Sequence, residues 1–302
     1  MTWLQLSVAV GRDQVDRADA VLQAGGAHAV SLSAAGEEVL LEPLPGQQPL
    51  WHQVRLEALL EPDADLSALR AELAPLGARL VDVQFVAPED WQQRWRAHAV
   101  RACFGGRLWV LPRDEPFAPP AGGKAGAAGS AVAVLRLDPG LAFGSGSHPT
   151  TRLCLAGLAA QPLAGRDVLD FGCGSGILAL AACLLGARRV VAVDHDPQAL
   201  LATRDNAAYN DIDERTLTVL TPEALLGPDQ PLWQFDVVVA NILARPLIDL
   251  APALCAVTAP GGLLMLSGLL AEQADMVRAA YPEVRFDAPA HEEEWIRLDG
   301  RR

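Results

Sequence analysis

Hydrophobic and polar residues alternate in short runs through the first third of the chain. Period-two alternation predicts strands over residues 3–8, 30–33, 39–42, 54–60 and 79–86. Apolar residues at helical spacing predict helices over residues 13–24, ended by Gly25-Gly26, and from Asp65 onward. Two helices on one face of an antiparallel sheet are typical of a small ferredoxin-like α+β domain, which we expect over residues 1–88.

From residue 166 the pattern changes to short β-rich runs that alternate with helical segments. Strands are predicted over residues 168–170, 190–194, 216–220, 235–240 and 263–267, with helices over 177–185 and 197–210 and a third helix that ends at 257. Segments near 284–286 and 295–298 predict a terminal hairpin. This order predicts an α/β fold, a doubly wound, Rossmann-like sheet of seven strands, within a domain of residues 102–302.

Two segments separate these patterns. Residues 88–101 are predicted to be helical, with Trp91 and Trp95 one turn apart, and we expect residues 89–101 to form a linker helix between the domains. Residues 118–130 are rich in alanine, glycine and proline and predict a surface loop.

Charge and cysteine content exclude several classes of function. The net charge of −13 disfavours binding to nucleic acid, because phosphate contacts need clustered lysine and arginine. Residues 1–88 carry 12 acidic and 5 basic side chains, which indicates either a surface for a basic partner or a solvated acidic surface. The longest apolar run, residues 177–185, is too short to cross a bilayer. Five scattered cysteines favour reduced thiols over disulfides or zinc. We therefore expect a cytoplasmic protein that binds no metal and no membrane. We also expect it to be a monomer.

The segment from Asp170 to Gly176 indicates a cofactor site. Glycines at 172, 174 and 176 let bare backbone approach a ligand, and the following helix offers unpaired N–H groups. Ile177 occupies the place of the third glycine in a dinucleotide fingerprint. The carboxylate of Asp170 would repel a pyrophosphate but attract an ammonium group. These two details favour S-adenosylmethionine over NAD.

Two polar residues follow later strands of the same predicted sheet. Asp194 ends the second strand, where an acid accepts hydrogen bonds from ribose hydroxyls; its alternative is to cap the next helix, for which Asp196 is better placed. Asn241 ends the fourth strand and either orients a group near the methyl or serves as a turn residue before Pro246.

Residues 137–151 precede the first strand of the sheet and combine glycines with hydroxyl side chains. They are either a lid whose Thr151 reaches the methionine end of the cofactor, or a polar loop in which Thr150 or Thr151 caps a helix. For His148 we favour a structural hydrogen bond over the role of catalytic base.

Together these residues resemble the ribosomal protein L11 methyltransferase (PrmA) family. The resemblance covers nearly the whole chain, and its most specific motifs are Asp138-Pro139-Gly140-Leu141-Ala142-Phe143-Gly144 and Ala240-Asn241-Ile242-Leu243-Ala244. Ser145 and Ser147 depart from the threonines usual in the family, but they keep the hydroxyls.

The resemblance implies a protein methyltransferase that uses S-adenosyl-L-methionine and releases S-adenosyl-L-homocysteine. It implies that lysine ε-amines and the N-terminal α-amine of L11 are methylated, and that residues 1–88 recognise the substrate. The predicted cofactor-binding residues are Phe143, Thr151, Asp170, Gly172, Gly174, Gly176, Asp194 and Asn241. Asn241 is also the predicted catalytic residue. Alternatives are another protein or small amine acceptor, a glutamine-amide acceptor, disfavoured by Asn241-Ile242-Leu243-Ala244, and a cofactor-sensing protein without catalysis.

Overall fold

The computed structural model describes residues 2–36, 38, 50–86, 101–117, 132–137, 146–227 and 233–302. The chain divides into two compact units, Met1–Arg94 and Trp95–Arg302. The boundary between them, the predicted linker helix up to residue 100 and the predicted strand 39–42 lie outside the described residues.

The first unit is a sheet covered by two helices. Its described strands are β1 (Trp3–Gly11), β2 (Ala29–Ala34), β3 (Gln53–Leu60) and β4 (Arg79–Val86), and its helices are α1 (Val15–Ala24) and α2 (Leu66–Leu73). The strands are antiparallel in the order β2-β3-β1-β4. Alternate residues of β1 and β3 pack with both helices into one apolar core, so both helices lie on the same face. The predicted helix 13–24 starts later, because residues 12–14 form a 3-10 turn.

A small sheet that the sequence pattern did not predict opens the second unit. Its described strands are β5 (Ala102–Phe104), β6 (Leu108–Pro112) and β7 (Ala133–Leu137). β5 pairs antiparallel with β6, and β6 pairs parallel with β7. Leu108 and Leu135 are fully buried in the core that this sheet shares with the main sheet.

The main sheet carries helices on both faces. Its strands are β8 (Asp167–Phe171), β9 (Arg189–Val193), β10 (Leu217–Leu220), β11 (Phe235–Asn241), β12 (Thr258–Leu270), β13 (Arg285–Phe286), β14 (Ala290–Glu292) and β15 (Trp295–Arg301). The helices are α3 (Pro149–Ala160), α4 (Ile177–Leu184), α5 (Pro197–Tyr209), α6 (Pro222–Leu226), α7 (Ala244–Asp249), α8 (Ala251–Val257) and α9 (Ala274–Ala279). Residues of α3 and α4 pack on one face and residues of α6 to α9 on the other, in two separate apolar cores.

The strand order is β10-β9-β8-β11-β12-β15-β13, and β10, β9, β8, β11 and β12 are parallel. Within the described part of the chain this sheet has eight strands, where the sequence predicted seven. The difference arises because β13 and β14 pair with different stretches of β15 and share one edge position. The chain moves from β8 toward β9 and β10, then crosses back to β11. The point where the order reverses therefore lies between β8 and β11, where open α/β sheets bind ligands.

The predicted helix that ends at residue 257 is broken into α7 and α8 at Leu250. Pro252 stands in the first turn of α8 and has no N–H to bond the carbonyl one turn earlier. No helix within the described ranges is long and apolar enough to cross a membrane.

Candidate active site

The turn that follows β8 is built from three glycines in the left-handed backbone region. The φ angles of Gly172, Gly174 and Gly176 are 82°, 54° and 82°. A Cβ at Gly172 would lie 2.3 Å from Ile242 Cγ2, and one at Gly176 would lie 2.8 Å from Thr203 Cγ2. Two of the three glycines are thus required by neighbouring side chains as well as by backbone conformation.

Asp170, the residue before this turn, is fully buried. Its Oδ2 accepts a hydrogen bond of 2.9 Å from the backbone N–H of Ala179, in the first turn of α4. The N-cap of α4 is Gly176, which has no side chain to accept such a bond, so Asp170 caps the helix from below.

Burial raises the pKa of the Asp170 carboxyl to about 7, against the lowering effect of the Ala179 hydrogen bond, and the nearby Asp194 carboxylate adds to the rise. Its Oδ1 is buried and has no hydrogen-bond partner among the described residues. The sequence predicted contact with a ligand ammonium. In this arrangement the carboxylate presents no surface for that contact, because the chain turns over it and encloses it.

Asp194 connects the end of β9 to the glycine turn. Its Oδ2 accepts from the backbone N–H of Gly174 at 2.9 Å, and its Oδ1 accepts from the N–H of Asp196 at 3.0 Å. Asp196 itself caps α5, with its Oδ1 2.9 Å from the N–H of Gln198, so the capping role predicted for Asp196 is confirmed. The ribose role of Asp194 stays a prediction. The Asp194 side chain keeps 11% of its surface exposed. A carboxylate accepts about four hydrogen bonds, so Asp194 retains acceptor capacity toward solvent or a ligand.

Asn241 meets Thr151 at the next strand end. The amide Nδ2 of Asn241 donates to Thr151 Oγ1 at 3.4 Å, and Thr151, on α3, is almost completely buried. Asn241 Oδ1 is buried and lacks a hydrogen-bond partner within the described ranges. Asn241 as a residue is partly exposed, whereas Asp170 is fully buried. A buried acceptor costs free energy when it has no donor, so the Asn241 oxygen is suited to an N–H or O–H of a ligand that approaches this strand end.

His148 caps α3, whereas the polar-loop alternative predicted that Thr150 or Thr151 would do so. Its Nδ1 accepts from the Thr150 N–H at 3.3 Å and lies 2.8 Å from the Thr150 hydroxyl. Its ring meets Trp295 of β15 edge-on, with 4.9 Å between the ring centroids. Burial lowers the pKa of His148, while Glu294 and Glu293 act against that shift. These contacts agree with the structural role favoured for His148.

The loop after β11 is fixed by residues that sequence reasoning did not select. Ile242 packs against Gly172, and its backbone passes Gly268 of β12, where a Cβ would lie 2.2 Å from the Ile242 carbonyl oxygen. Gly268 also has a φ of 88°. A glycine inside a strand indicates close approach of another backbone, and that signal in the sequence was available.

The structure therefore brings together three of the predicted strand ends. β8 lies between β9 and β11, so the glycine turn, Asp194 and Asn241 share the carboxyl edge of the sheet. Phe143 lies outside the described residues, as does most of the predicted lid. Among the side chains that the structure describes, no group of three His, Cys, Asp or Glu residues is arranged to hold a metal ion.

Comparison with known proteins gives one consistent family. A family model described as ribosomal protein L11 methyltransferase (PrmA) matches residues 2–302. A protein of that name from Pseudomonas aeruginosa (strain LESB58) is 48% identical, with 100% of this chain and 99% of the relative covered. One from Azotobacter vinelandii is 48% identical, with 100% of both chains covered. The crystal structure of a ribosomal protein L11 methylase from Lactobacillus delbrueckii subsp. bulgaricus is 34% identical, covers 64% of this chain and 94% of its own, and has a TM-score of 0.54. The fold is thus of the mixed α/β methyltransferase type, and the chain belongs to the ribosomal protein L11 methyltransferase (PrmA) family.

Proposed function

We propose that the chain transfers methyl groups from S-adenosyl-L-methionine to lysine ε-amines and the N-terminal α-amine of ribosomal protein L11. The observation that carries the proposal is the hydrogen bond from Gly174 of the glycine turn to Asp194, at the carboxyl edge of the sheet and next to the point where the strand order reverses. This places a glycine turn beside a carboxylate that has free lone pairs, in a chain of this family.

The residues present fit this cofactor. Asp194 has acceptor capacity for ribose hydroxyls, and Gly172, Gly174 and Gly176 give the turn the left-handed backbone conformations of a tight loop that a ligand can approach. Asp170 does not contact the ligand in this proposal. It holds the start of α4 through the Ala179 hydrogen bond, and its carboxylate adds negative potential near a bound ammonium group. We further propose that Phe143 and Thr151 belong to the same site.

When bound, the cofactor supplies a methyl group on a sulfonium that leaves as a neutral thioether, so no general acid is needed. We assign Asn241 the task of orienting the acceptor amine. When an N–H of the acceptor amine donates to the unpartnered Oδ1 of Asn241, the hydrogen bond fixes the orientation of the amine and so the direction of its nitrogen lone pair. Thr151 holds the amide from the other side, because its hydroxyl accepts from Nδ2.

The acceptor amine must lose a proton before it can attack. A lysine ammonium has a pKa of about 10.4 in water, and desolvation favours the neutral amine. We propose that water takes this proton, since the buried Asp170 carboxylate is enclosed by the chain.

We propose a ferredoxin-like substrate-recognition domain at residues 1–88, a linker helix at 89–101 and a class I methyltransferase domain at 102–302. Its sheet counts as seven-stranded when β13 and β14, which share one edge position, are taken as one strand. The β2-β3-β1-β4 order, with one helix after β1 and one after β3, supports the first assignment. The excess of acidic side chains over residues 1–88 suits a basic ribosomal protein and not RNA. A monomer in the cytoplasm is part of the same proposal.

The test is a comparison of acceptors. Purified protein is first titrated with S-adenosylmethionine in a calorimeter, then incubated with methyl-labelled cofactor and recombinant L11, free lysine or a glutamine-containing peptide. Label on L11 alone supports the proposal. Label on another acceptor with none on L11 contradicts the substrate, and cofactor binding without any transfer contradicts catalysis.

A further inference from the structure

Two polar side chains of α5 donate hydrogen bonds to backbone carbonyls of the glycine turn. The hydroxyl of Thr203 donates to the carbonyl oxygen of Gly174 at 3.0 Å, and Nδ2 of Asn206 donates to the carbonyl oxygen of Ser175 at 3.0 Å. Thr203 is fully buried and Asn206 nearly so. The two residues are three positions apart, so they lie on one face of the helix.

These bonds fix the direction of consecutive peptide groups in the turn. The carbonyl of Cys173 accepts from the N–H of Gly176 at 2.8 Å, and the next two carbonyls accept from Thr203 and Asn206. Three successive oxygens are therefore held by protein donors. At the same time Asp194 accepts from the N–H of Gly174, so this residue is held on both sides.

Gly174 needs such support because glycine, which has no Cβ, can change its backbone dihedral angles at little cost. Its φ of 54° is one of several conformations that a glycine adopts at little cost. If the Gly174 carbonyl loses its donor, its peptide plane is free to rotate. Such a rotation can turn the negative end of the carbonyl dipole toward a ligand bound at the turn, and a carboxylate of the cofactor bound there would need N–H groups.

Thr203 is fixed in turn by its own neighbours. Cys173 Sγ lies 3.4 Å from its Oγ1, and burial raises the pKa of this thiol, so Cys173 stays protonated and donates to the hydroxyl that serves Gly174. Asn206 Oδ1 accepts from Arg113, the residue that follows β6, at 3.2 Å. The turn is thereby connected through Asn206 to the three-stranded sheet.

We propose that Thr203 and Asn206 are positioning residues for cofactor binding, which act by holding the carbonyls of Gly174 and Ser175 away from the ligand. The inference rests on the proposed use of S-adenosylmethionine. In this proposal Thr203 and Asn206 increase the affinity for the cofactor without touching it, because they act only through the backbone of the turn.

The test compares three threonine variants of the full chain. Thr203→Val removes the hydroxyl and keeps the shape, and Thr203→Ser keeps the hydroxyl. Thr258→Val is the matched control, because Thr258 is equally buried and its hydroxyl donates to a backbone carbonyl, that of Leu254, at 2.7 Å at the other end of the sheet. Asn206→Asp removes the donor to Ser175 and keeps the acceptor for Arg113, so it replaces Thr203→Val if that variant does not fold.

Affinity for S-adenosylhomocysteine is measured by calorimetry, and amide hydrogen exchange of residues 172–176 is measured without ligand. We expect Thr203→Val to bind about tenfold more weakly, the effect of losing about one hydrogen bond's worth of free energy. We also expect faster exchange in the turn, with Thr203→Ser close to wild type. Thr258→Val should lower the melting temperature and leave affinity unchanged.

Equal affinity in Thr203→Val and wild type, or equal weakening in Thr258→Val, overturns the inference. Unchanged exchange in the turn of Thr203→Val overturns it too, whatever the ligand does. If the wild-type protein binds no S-adenosylhomocysteine, the proposed function is contradicted instead. The two failures can be told apart, because hydrogen exchange in the turn is measured without ligand and tests the role of Thr203 by itself.

Discussion

Asp170→Asn separates the electrostatic effect of the buried carboxyl from its hydrogen bond. An asparagine at 170 can still accept from the Ala179 N–H through its amide oxygen. Its amide nitrogen takes the place of Oδ1, which has no partner among the described residues. The cost of burying that nitrogen does not depend on pH, whereas the cost of burying the carboxylate does.

The sign and size of the effect follow from the two pKa values. The Asp170 pKa rises from its ordinary value of 3.8 to about 7 in the folded protein, mainly because burial disfavours the charged form. Between these values the folded protein keeps a proton that the unfolded chain has released. The free energy of unfolding therefore falls as the pH rises through this window. Each unit of pKa difference between the folded and unfolded states corresponds to about 1.4 kcal/mol. The free energy of unfolding therefore falls by about 4 kcal/mol in total by pH 8.

The assay is denaturant unfolding of wild type and Asp170→Asn at intervals from pH 4.5 to 8.5. We expect the stability of wild type, relative to the variant, to fall by several kcal/mol across this range. Subtracting the unfolding free energy of the variant from that of wild type cancels the contribution of the first unit, because its sequence is the same in both proteins.

Asp167→Asn is the matched control, at the other end of β8. Asp167 is also buried, but hydrogen bonds from Arg188 and Arg189 outweigh burial and lower its pKa. It is therefore ionised in both states above about pH 4.5, and its variant should run parallel to wild type in the same range. A flat difference for Asp170→Asn, or one that grows in favour of wild type as the pH rises, refutes the reasoning.

Three further predictions concern the site and the domains. Asp194→Ala should weaken binding of S-adenosylmethionine by about 1–3 kcal/mol in calorimetry, because it loses acceptors for the ligand and for the turn; unchanged affinity would remove Asp194 from the site. Gly268→Ala should cost several times more unfolding free energy than Gly261→Ala, since both have positive φ but only at 268 does a Cβ meet backbone; equal losses would show that no clash exists. A chain without residues 1–88 should bind S-adenosylmethionine in calorimetry but leave L11 unmethylated in the label assay, and retained methylation would contradict the recognition role.

Local patterns predicted much of the parallel sheet, because each strand is a short buried run followed by a helix with its own start signal. The glycine turn, Asp194 and Asn241 follow such strands, so their common position at one edge could be deduced from chain order alone. The capping role of Asp196 was equally local, since it precedes Pro197 at the start of α5.

The contacts that shape the site are not local and could not be predicted. Gly172 and Gly176 are required by Ile242 and Thr203, which lie far along the chain. The cap of α3 was missed because histidine is not among the favoured N-cap residues. The small sheet of β5, β6 and β7 was missed because the parallel pair, β6 and β7, is separated by a long low-complexity segment instead of a helical pattern.

The most direct test of the central claim is the intact mass of recombinant L11 after incubation with the full chain and S-adenosylmethionine. We expect mass increments of whole methyl groups, located by peptide mapping on lysine side chains and the N-terminal amine. We also expect that Asn241→Ala, which removes the buried amide that orients the amine, slows their appearance strongly while cofactor still binds. An L11 mass that stays unchanged with the wild-type protein, under conditions where calorimetry shows bound cofactor, would contradict the account.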